Sequence, residues 1–153
     1  MHRAAHKFVE KLVRRHPQFF KGVSAIEFGS RYINGSARDC FYKSTFLGVD
    51  PFPGEAVDVV SLAHKYVADR PYDVVFTTEM LEHDPHWKES LRVMIHCLRP
   101  GGLFFLTCAT TGRPEHGTER QDSSDLYTPD PSYYRNLTAK DLYDAIRMEW
   151  FTT

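Results

Sequence analysis

Short apolar runs separated by polar segments are the feature that most constrains the fold of this chain. Each run is four to six residues long, which suits a buried strand and is too short for an ordinary helix. The runs cover residues 23–28, 45–50, 57–60, 72–77 and 103–108. Nearly continuous apolar strands joined by crossovers are typical of a parallel sheet covered on both faces. The sequence therefore predicts a doubly wound, mostly parallel α/β fold, with ligands bound at the carboxyl ends of the strands.

Helical patterns stand at both ends of the chain. In residues 1–20, apolar side chains recur at helical spacing, and Pro17 is expected to end this N-terminal helix. Near the other end, Thr138 and Asp141 resemble a capping box, which predicts a helix over residues 139–148.

A further helix is predicted after the fourth strand. Asp84 can cap its N-terminus, and Pro85 suits its first position. Four apolar residues would then share one face of the helix: Trp87, Leu91, Met94 and Leu98.

The composition is that of one globular domain, which we expect to span residues 1–153. Hydrophobic residues make up 42% of the chain and charged residues 25%, and the formal net charge is −1. This balance argues against a wholly disordered chain and neither for nor against nucleic acid. No apolar run approaches the roughly 20 residues that cross a bilayer, and no signal-peptide pattern is present, so no membrane association is expected.

The cysteines indicate a reducing compartment. Cys40, Cys97 and Cys108 are odd in number and include no C-x-x-C pair, which argues against a disulfide framework and against a zinc site. Cys97 and Cys108 fit small buried hydrophobic residues, and a cytoplasmic location is expected.

Positive charge is concentrated in the first 21 residues, where six lysines and arginines stand against Glu10 alone. Two interpretations stay open. The charge forms the solvated face of an amphipathic helix, or it forms a patch for an anionic substrate or nucleic acid.

Two residues at strand ends point to a ligand that contains a ribose. Gly29 follows the first strand and permits a tight turn, and Asp50 follows the second, where an acid can accept both ribose hydroxyls. Glu27 and Asp50 are 23 residues apart, about the separation expected between a glycine turn and a ribose acid. The full G-x-G-x-x-G fingerprint is missing, which favours a ligand without a diphosphate.

An ordered set of short motifs runs through the rest of the chain. They are Gly29-Ser30, Asn34-Gly35-Ser36, Gly48-Val49-Asp50, Asp58-Val59-Val60, Tyr72-Asp73-Val74-Val75, Glu79-Met80-Leu81-Glu82-His83 and Leu98-Arg99-Pro100-Gly101-Gly102. Over about residues 23–146, this set resembles the class I S-adenosylmethionine-dependent methyltransferases of the type 11 group.

The resemblance implies a Rossmann-like methyltransferase fold and S-adenosylmethionine as the cofactor. It implies that Glu27 faces the amino group of the methionine moiety, with Gly29, Ser30 and Gly35 in the turn beneath it. Asp50 would hold the ribose.

The same resemblance implies contacts to the adenine and to the sulfonium. Pro51 and Phe52 would lie beside the adenine, and Ala63 and His64 against its edge. Thr78 and Glu79 would border the sulfonium end.

The chain departs from the resembled family at two places. Leu62 stands where the family often has an acid for the adenine amino group, so adenine recognition must fall to backbone groups or to His64. The family's sheet normally ends in an antiparallel hairpin, and residues 149–153 suffice for one short strand. The C-terminal hairpin is therefore expected to be incomplete, which implies either a truncated chain or a sheet edge covered by a second subunit in a homo-oligomer.

Two histidines are candidate catalytic residues. His83 follows the fourth strand and is a candidate base or substrate contact. His116 lies in the long polar segment 109–137, which is expected to form an acceptor-side lid, and is either a general base or an ordinary surface residue. His83, Asp84 and His86 do not have a standard metal-ligand spacing, so no metal is predicted.

The expected reaction is in-line attack of an acceptor oxygen, nitrogen or carbon on the sulfonium methyl group, with the sulfur as the leaving group. The acceptor is unidentified; a small molecule is favoured and nucleic acid stays open. A positioned acceptor and an excluded solvent suffice for this chemistry, so no catalytic triad is expected. The first alternative is a catalytically silent cofactor-binding or assembly module, which Leu62 and the short C-terminus favour. The second is a nicotinamide-dependent oxidoreductase, which predicts a three-glycine fingerprint that the chain lacks.

Overall fold

A parallel five-stranded sheet forms the centre of the fold in a computed structural model, which describes residues 2–121 and 128–146. The strands are β1 (Ser24–Phe28), β2 (Thr45–Asp50), β3 (Val59–Val60), β4 (Tyr72–Thr78) and β5 (Leu98–Thr107). They lie in the order β3-β2-β1-β4-β5, and all pairs are parallel. The predicted parallel sheet is confirmed, and its order reverses between β1 and β4.

In the described residues, three α-helices and four 3-10 turns surround the sheet. The helices are α1 (Arg3–Arg15), α2 (Trp87–His96) and α3 (Ala139–Ala145), and the 3-10 turns are Pro17–Phe19, Ala37–Cys40, Ala63–Lys65 and Leu81–His83. None of the helices among the described residues is long and apolar enough to span a membrane. The described cysteines are all free.

Each face of the sheet carries its own hydrophobic core. On one face Val9 of α1 packs with Ala25, Val74 and Phe76. On the other face α2 contributes Leu91 and Met94, which pack with residues of β1, β2 and β4. This two-sided burial explains the nearly continuous apolar runs.

The crossover from β1 to β2 differs from the expected doubly wound pattern. Its described residues 29–44 form no α-helix, only the turn Ala37–Cys40. Gly29 and Gly35 both have positive φ, which interrupts helical geometry early in the segment. Ala37 is fully buried and covers the sheet beside α1, so a 3-10 turn takes the place of a crossover helix.

Within the N-terminal segment 1–20, the helix ends at Arg15, as Pro17 predicts, and a 3-10 turn follows. The third predicted strand is shorter than expected and is confined to Val59–Val60. Val57 belongs instead to a turn, in which its N–H donates to the carbonyl of Gly54, at 3.2 Å.

The predicted cap of α2 is wrong. The N-cap is His86, and the helix begins at Trp87. Asp84 has an extended backbone, as expected of a residue before proline, and its carboxylate accepts from the N–H of His86 at 2.8 Å and from the hydroxyl of Ser90. Leu98 begins β5 and does not belong to α2, because it pairs with Tyr72 across the sheet.

The end of the chain is described only to residue 146. The capping box of α3 is confirmed, since the hydroxyl of Thr138 accepts from the N–H of Asp141 and the carboxylate of Asp141 accepts from the N–H of Thr138. The helix predicted over residues 139–148 ends earlier, at Ala145, because Ile146 already has an extended backbone. The predicted incomplete hairpin lies outside the described residues.

Candidate functional site

A cleft of about 620 Å³ opens at the carboxyl edge of the sheet, where the strand order reverses. Most of the predicted site residues line it: Glu27, Gly29, Ser30, Gly35, Asp50, Pro51, Ala63, Thr78, Glu79, His83 and His116. The ends of β1, β2 and β4 supply most of its floor. We call the part beside Gly29 and Asp50 the turn half, and the part beside His83 and His116 the histidine half.

The turn half is built around Gly29. Its φ is +72°, and its N–H donates to the carbonyl of Val49 on the neighbouring strand, at 2.9 Å. A Cβ at this position would lie 2.8 Å from the side chain of Met80. Glycine is therefore required both by the left-handed conformation and by the close approach of the segment after β4.

Asp50 is held in place by two backbone groups. Its Oδ2 accepts from the N–H of Arg31 at 3.1 Å, and its Oδ1 accepts from the N–H of Phe52 at 3.0 Å. Burial raises the pKa of Asp50, and these two hydrogen bonds act in the opposite direction. Each oxygen keeps a lone pair, so the carboxylate can still accept two hydroxyls from the cleft.

Glu27 forms a buried ion pair that the sequence did not predict. The carboxylate is 2% exposed, and the Nε of Arg38 donates to it at 2.6 Å. The Nη2 of Arg38 also donates to the carbonyl of Ala56, at 3.0 Å. Burial raises the pKa of Glu27 to about 7, although the charge and hydrogen bond of Arg38 lower it.

Gly48 is a second residue of the turn half that sequence reasoning missed. A Cβ there would lie 1.9 Å from the carbonyl oxygen of Ala56 and 2.5 Å from Arg38. Only glycine allows the segment after β2 to close over β2, and this closure places Arg38 against Glu27. The lone glycine inside an apolar strand was the available signal.

The predicted adenine contacts are only partly brought together. Pro51, Leu62 and Ala63 line the cleft, whereas Phe52 and His64 are not among its lining residues. The ring of His64 packs instead on the ring of His86, with centroids 4.2 Å apart. The 3-10 turn Ala63–Lys65 packs against α2, which accounts for the direction of this ring.

Thr78 and Glu79 lie where the turn half meets the histidine half. Glu79 has a φ of +56°, unusual for a residue with a side chain, and its N–H donates to the carbonyl of Thr107 at 2.9 Å. Backbone strain of this kind is concentrated at functional sites, because the surrounding structure must hold it in place.

The histidine half contains three neighbouring rings. The centroids of His83 and His116 are 5.0 Å apart, and Tyr134 lies 5.4 Å from His83 and 5.1 Å from His116. Burial, together with the nearby His116, lowers the pKa of His83 to about 4, so its imidazole is neutral at pH 7. The structure thus brings the two predicted catalytic candidates together.

Glu82 lies beneath these rings and is fully buried. Its Oε1 accepts from the N–H of Ala109 at 3.1 Å, and its Oε2 has no hydrogen-bond partner among the described residues. Burial raises the pKa of Glu82 to about 7. The Leu-Glu-His motif contains this residue, but its burial follows from contacts with residues far along the chain.

The described parts of the segment 109–137 fold over the histidine half. The N–H of Arg135 donates to the carbonyl of Glu82, and the hydroxyl of Thr128 donates to the carbonyl of His83, both at 2.9 Å. At its end, Leu137 is buried in the core, and its N–H donates to the carbonyl of Ala109. The segment therefore covers the cleft with no α-helix or strand in its described residues.

The comparison with protein families gives one match along most of the chain. The family described as "Methyltransferase domain" matches residues 1–143. No curated protein sequence matches the chain significantly.

Several solved structures share the fold at low sequence identity. The 1,6-didemethyltoxoflavin-N1-methyltransferase of Burkholderia thailandensis, with bound 1,6-didemethyltoxoflavin and S-adenosylhomocysteine, has a TM-score of 0.65 at 16% identity over 94% of this chain and 66% of its own. Coclaurine N-methyltransferase, bound to N-methylheliamine and S-adenosylhomocysteine, has a TM-score of 0.63 at 16% identity over 92% of this chain and 47% of its own.

The N-methyltransferase NodS of Bradyrhizobium japonicum, in complex with S-adenosylhomocysteine, has a TM-score of 0.53 at 17% identity over 68% of this chain and 60% of its own. The chain thus spans 47% to 66% of the length of these three proteins. At such low identity, these similarities establish the Rossmann-like fold.

Proposed function

The chain belongs to the methyltransferase-domain family, and on this premise we propose that it binds S-adenosylmethionine and transfers the methyl group to a small-molecule acceptor. One observation carries the proposal. The Gly29 turn and the Asp50 carboxylate end neighbouring parallel strands and line the same cleft. A volume of about 620 Å³ lies within the usual range for cofactor sites.

The turn half fits an adenosyl group. The carboxylate of Asp50 is fixed by two backbone N–H groups and retains lone pairs for the two ribose hydroxyls. The hydroxyl of Ser30 is buried at the cleft wall and has no hydrogen-bond partner among the residues that the structure describes, which suits a polar ligand group there. Asp50 would therefore orient the ribose, and Ser30 would orient the polar part of the ligand next to it.

The methionine moiety fits a different part of the same half. Its ammonium group would be attracted by the buried carboxylate of Glu27, which lies beside Ser36 and Arg38. Arg38 already pairs with this carboxylate, so the ammonium group would share Glu27 with the guanidinium group.

Adenine recognition falls to apolar surface and backbone groups. Leu62 and Ala63 line the cleft, and Leu62 cannot accept a hydrogen bond from the adenine amino group. His64 packs on His86, outside the lining, so backbone carbonyls are the better candidates for that hydrogen bond.

S-adenosylmethionine would supply a methyl group bound to a positively charged sulfur. An acceptor atom would attack the methyl carbon in line, and the sulfur would leave. Thr78 and Glu79, at the end of β4, would orient the partners, and the segment 109–137 would exclude water. His83 and His116 are the candidates to take a proton from an acceptor that must lose one. Because burial lowers the pKa of His83 to about 4, its imidazole is a weak base, and the neutral ring can accept a hydrogen bond from the methyl acceptor.

The acceptor is proposed to be a small molecule because the cleft is narrow and partly covered. Two of the similar structures contain small-molecule ligands, 1,6-didemethyltoxoflavin and N-methylheliamine. A cytoplasmic location, a homo-oligomer and a nucleic-acid partner at α1 stay predictions. The nicotinamide alternative gains no support from the family match, whereas the silent-module alternative is an outcome of the experiment below.

The test is transfer of a labelled methyl group from S-adenosylmethionine to compounds in a small-molecule extract. The expected result is protein-dependent labelling that is lost in Asp50→Ala and kept in Asp144→Asn, an exposed acid on α3. Binding of S-adenosylhomocysteine without any transfer would favour the silent module. Equal transfer by the wild type and Asp50→Ala would contradict the proposal.

A further inference from the structure

Three side chains in the histidine half form a cluster with the composition of a metal site. A carboxylate oxygen of Glu82 and one ring nitrogen each of His83 and His116 all lie within 4.8 Å of one another. The pattern differs from the His83, Asp84 and His86 set considered in the sequence, because Glu82 and His116 come together only in the folded chain.

The burial of Glu82 gives an independent reason to expect a bound cation. The residue is 0% exposed, and its Oε2 has no hydrogen-bond partner within residues 2–121 and 128–146. An unpaired buried polar atom destabilises the fold, and more so when it is charged. The buried Nδ1 of His83 likewise has no partner in the described part of the chain, so two unused ligand atoms belong to adjacent residues of the cluster.

Hydrogen bonds hold two of the three side chains in place. The second oxygen of Glu82 is fixed by the N–H of Ala109. The Nδ1 of His116 lies 3.1 Å from the carbonyl of Pro114, to which it can only donate, and this tautomer leaves the lone pair on Nε2. Such outer hydrogen bonds are typical of metal-ligating histidines and carboxylates.

We propose that Glu82, His83 and His116 bind a divalent transition-metal ion. Two imidazole nitrogens and one carboxylate oxygen suit Zn²⁺, Co²⁺ or Fe²⁺, whereas Mg²⁺ and Ca²⁺ prefer ligands that are all oxygen. In a tetrahedral zinc site, ligand atoms lie about 3.3 Å apart, so the cluster would contract slightly on binding.

The position of the site also suggests its use. His83 and His116 line the cleft, so a metal with three protein ligands would keep an open position toward it. That position would take an oxygen or nitrogen of the acceptor and lower its pKa. This use depends on the proposed methyl transfer, but metal binding does not, and the two are tested separately.

The experiment measures metal binding without any methyl donor. The chelator-treated protein is titrated with Co²⁺, followed by visible absorbance, and then with Zn²⁺ in competition by calorimetry. We expect one saturable site per chain, displacement of Co²⁺ by Zn²⁺, and a melting temperature that rises with the metal.

The variants assign the site. Glu82→Gln and His116→Gln are each expected to weaken binding at least tenfold and to abolish the rise in melting temperature. His86→Gln is the matched control, because the ring of His86 also packs on a histidine ring but is not part of the cluster with Glu82. The metal affinity of this variant should equal that of the wild type.

Two results would overturn the proposal: no saturation at one equivalent in the wild type, or the same affinity in the wild type and His116→Gln. His116 lies in the covering segment outside both cores, so its variant keeps the test decisive even where Glu82→Gln fails to fold. Metal binding without methyl transfer, or transfer without metal, separates this proposal from the proposed function.

Discussion

The two halves of the cleft are built in different ways. The turn half consists of backbone turns at the ends of β1 and β2, held by close approaches at Gly29 and Gly48. The histidine half consists of side chains from separate segments, which hydrogen bonds from residues 109 and 135 hold together. Each half contains one buried carboxylate with a pKa raised to about 7 by burial, Glu27 and Glu82. Glu27 has an arginine partner, whereas Oε2 of Glu82 has no hydrogen-bond partner among the described residues.

The two halves are therefore suited to different ligands. A turn half fixed by the backbone and by an ion pair is pre-organised for one ligand shape. A histidine half with unused polar atoms suits a group that completes it, such as an acceptor or a cation.

The turn half should be intolerant of even one added methyl group. In Gly48→Ala, the new Cβ would lie 1.9 Å from the backbone carbonyl of Ala56, which cannot move independently of the sheet. We expect a loss of at least about 3 kcal/mol in the free energy of unfolding, measured by urea denaturation.

The matched variant is Gly112→Ala, in the segment that covers the histidine half. Gly112 also resists substitution through its φ of +87°, but a Cβ there meets nothing within 4 Å. A loss of about 1 kcal/mol is expected from the left-handed conformation alone. Equal losses at the two positions would remove the contrast between the halves.

Glu27 should make stability depend on pH. Its folded pKa of about 7 exceeds the ordinary value of 4.5, so the folded state holds a proton that the unfolded state releases between these values. The free energy that this group contributes to folding is fully present below pH 4.5 and is lost as the pH rises through 7. The difference between the two pKa values corresponds to about 3 kcal/mol in the free energy of unfolding.

The measurement is the free energy of unfolding from pH 5 to pH 8 in the wild type and in Glu27→Gln. We expect the wild type to lose stability relative to the variant over this range. The exposed Glu55→Gln variant should run parallel to the wild type. Parallel curves for Glu27→Gln and the wild type would contradict the prediction. They would mean that Glu27 keeps one charge state over this pH range.

Removing the cap of α3 should lower the stability of the protein without weakening ligand binding in the turn half. Thr138→Ala removes the hydroxyl that accepts from the N–H of Asp141, and a loss of about 1 kcal/mol is expected from thermal unfolding. Affinity for S-adenosylhomocysteine should stay within twofold of the wild type. A large loss of affinity would mean that the two halves are coupled through the covering segment.

The sequence predicted the turn half better than the histidine half, for a physical reason. Apolar strand patterns determine which residues end neighbouring strands, so the positions of Gly29 and Asp50 follow from local information. Arg38 reaches Glu27 through a 3-10 turn without periodicity, and nothing in the sequence predicted this pair.

The missed features of the histidine half depend on contacts between distant residues. Glu82 is buried because the segment 109–137 folds over it, and a strand pattern carries no information about that covering. Likewise, the type and spacing of Asp84 predict that it caps α2. In the structure residues 84–87 instead form a turn, in which the N–H of Trp87 donates to the carbonyl of Asp84, and the helix begins only after this turn.

The most direct test of the central claim is calorimetric titration with S-adenosylhomocysteine. We expect one binding site for S-adenosylhomocysteine per chain in the wild type. In Asp50→Asn we expect an affinity at least tenfold lower, because one ribose hydroxyl loses a charged acceptor. Asp144→Asn should bind as the wild type does. The same dissociation constant for the wild type and Asp50→Asn would contradict the claim that the Gly29 turn and Asp50 hold an adenosyl group.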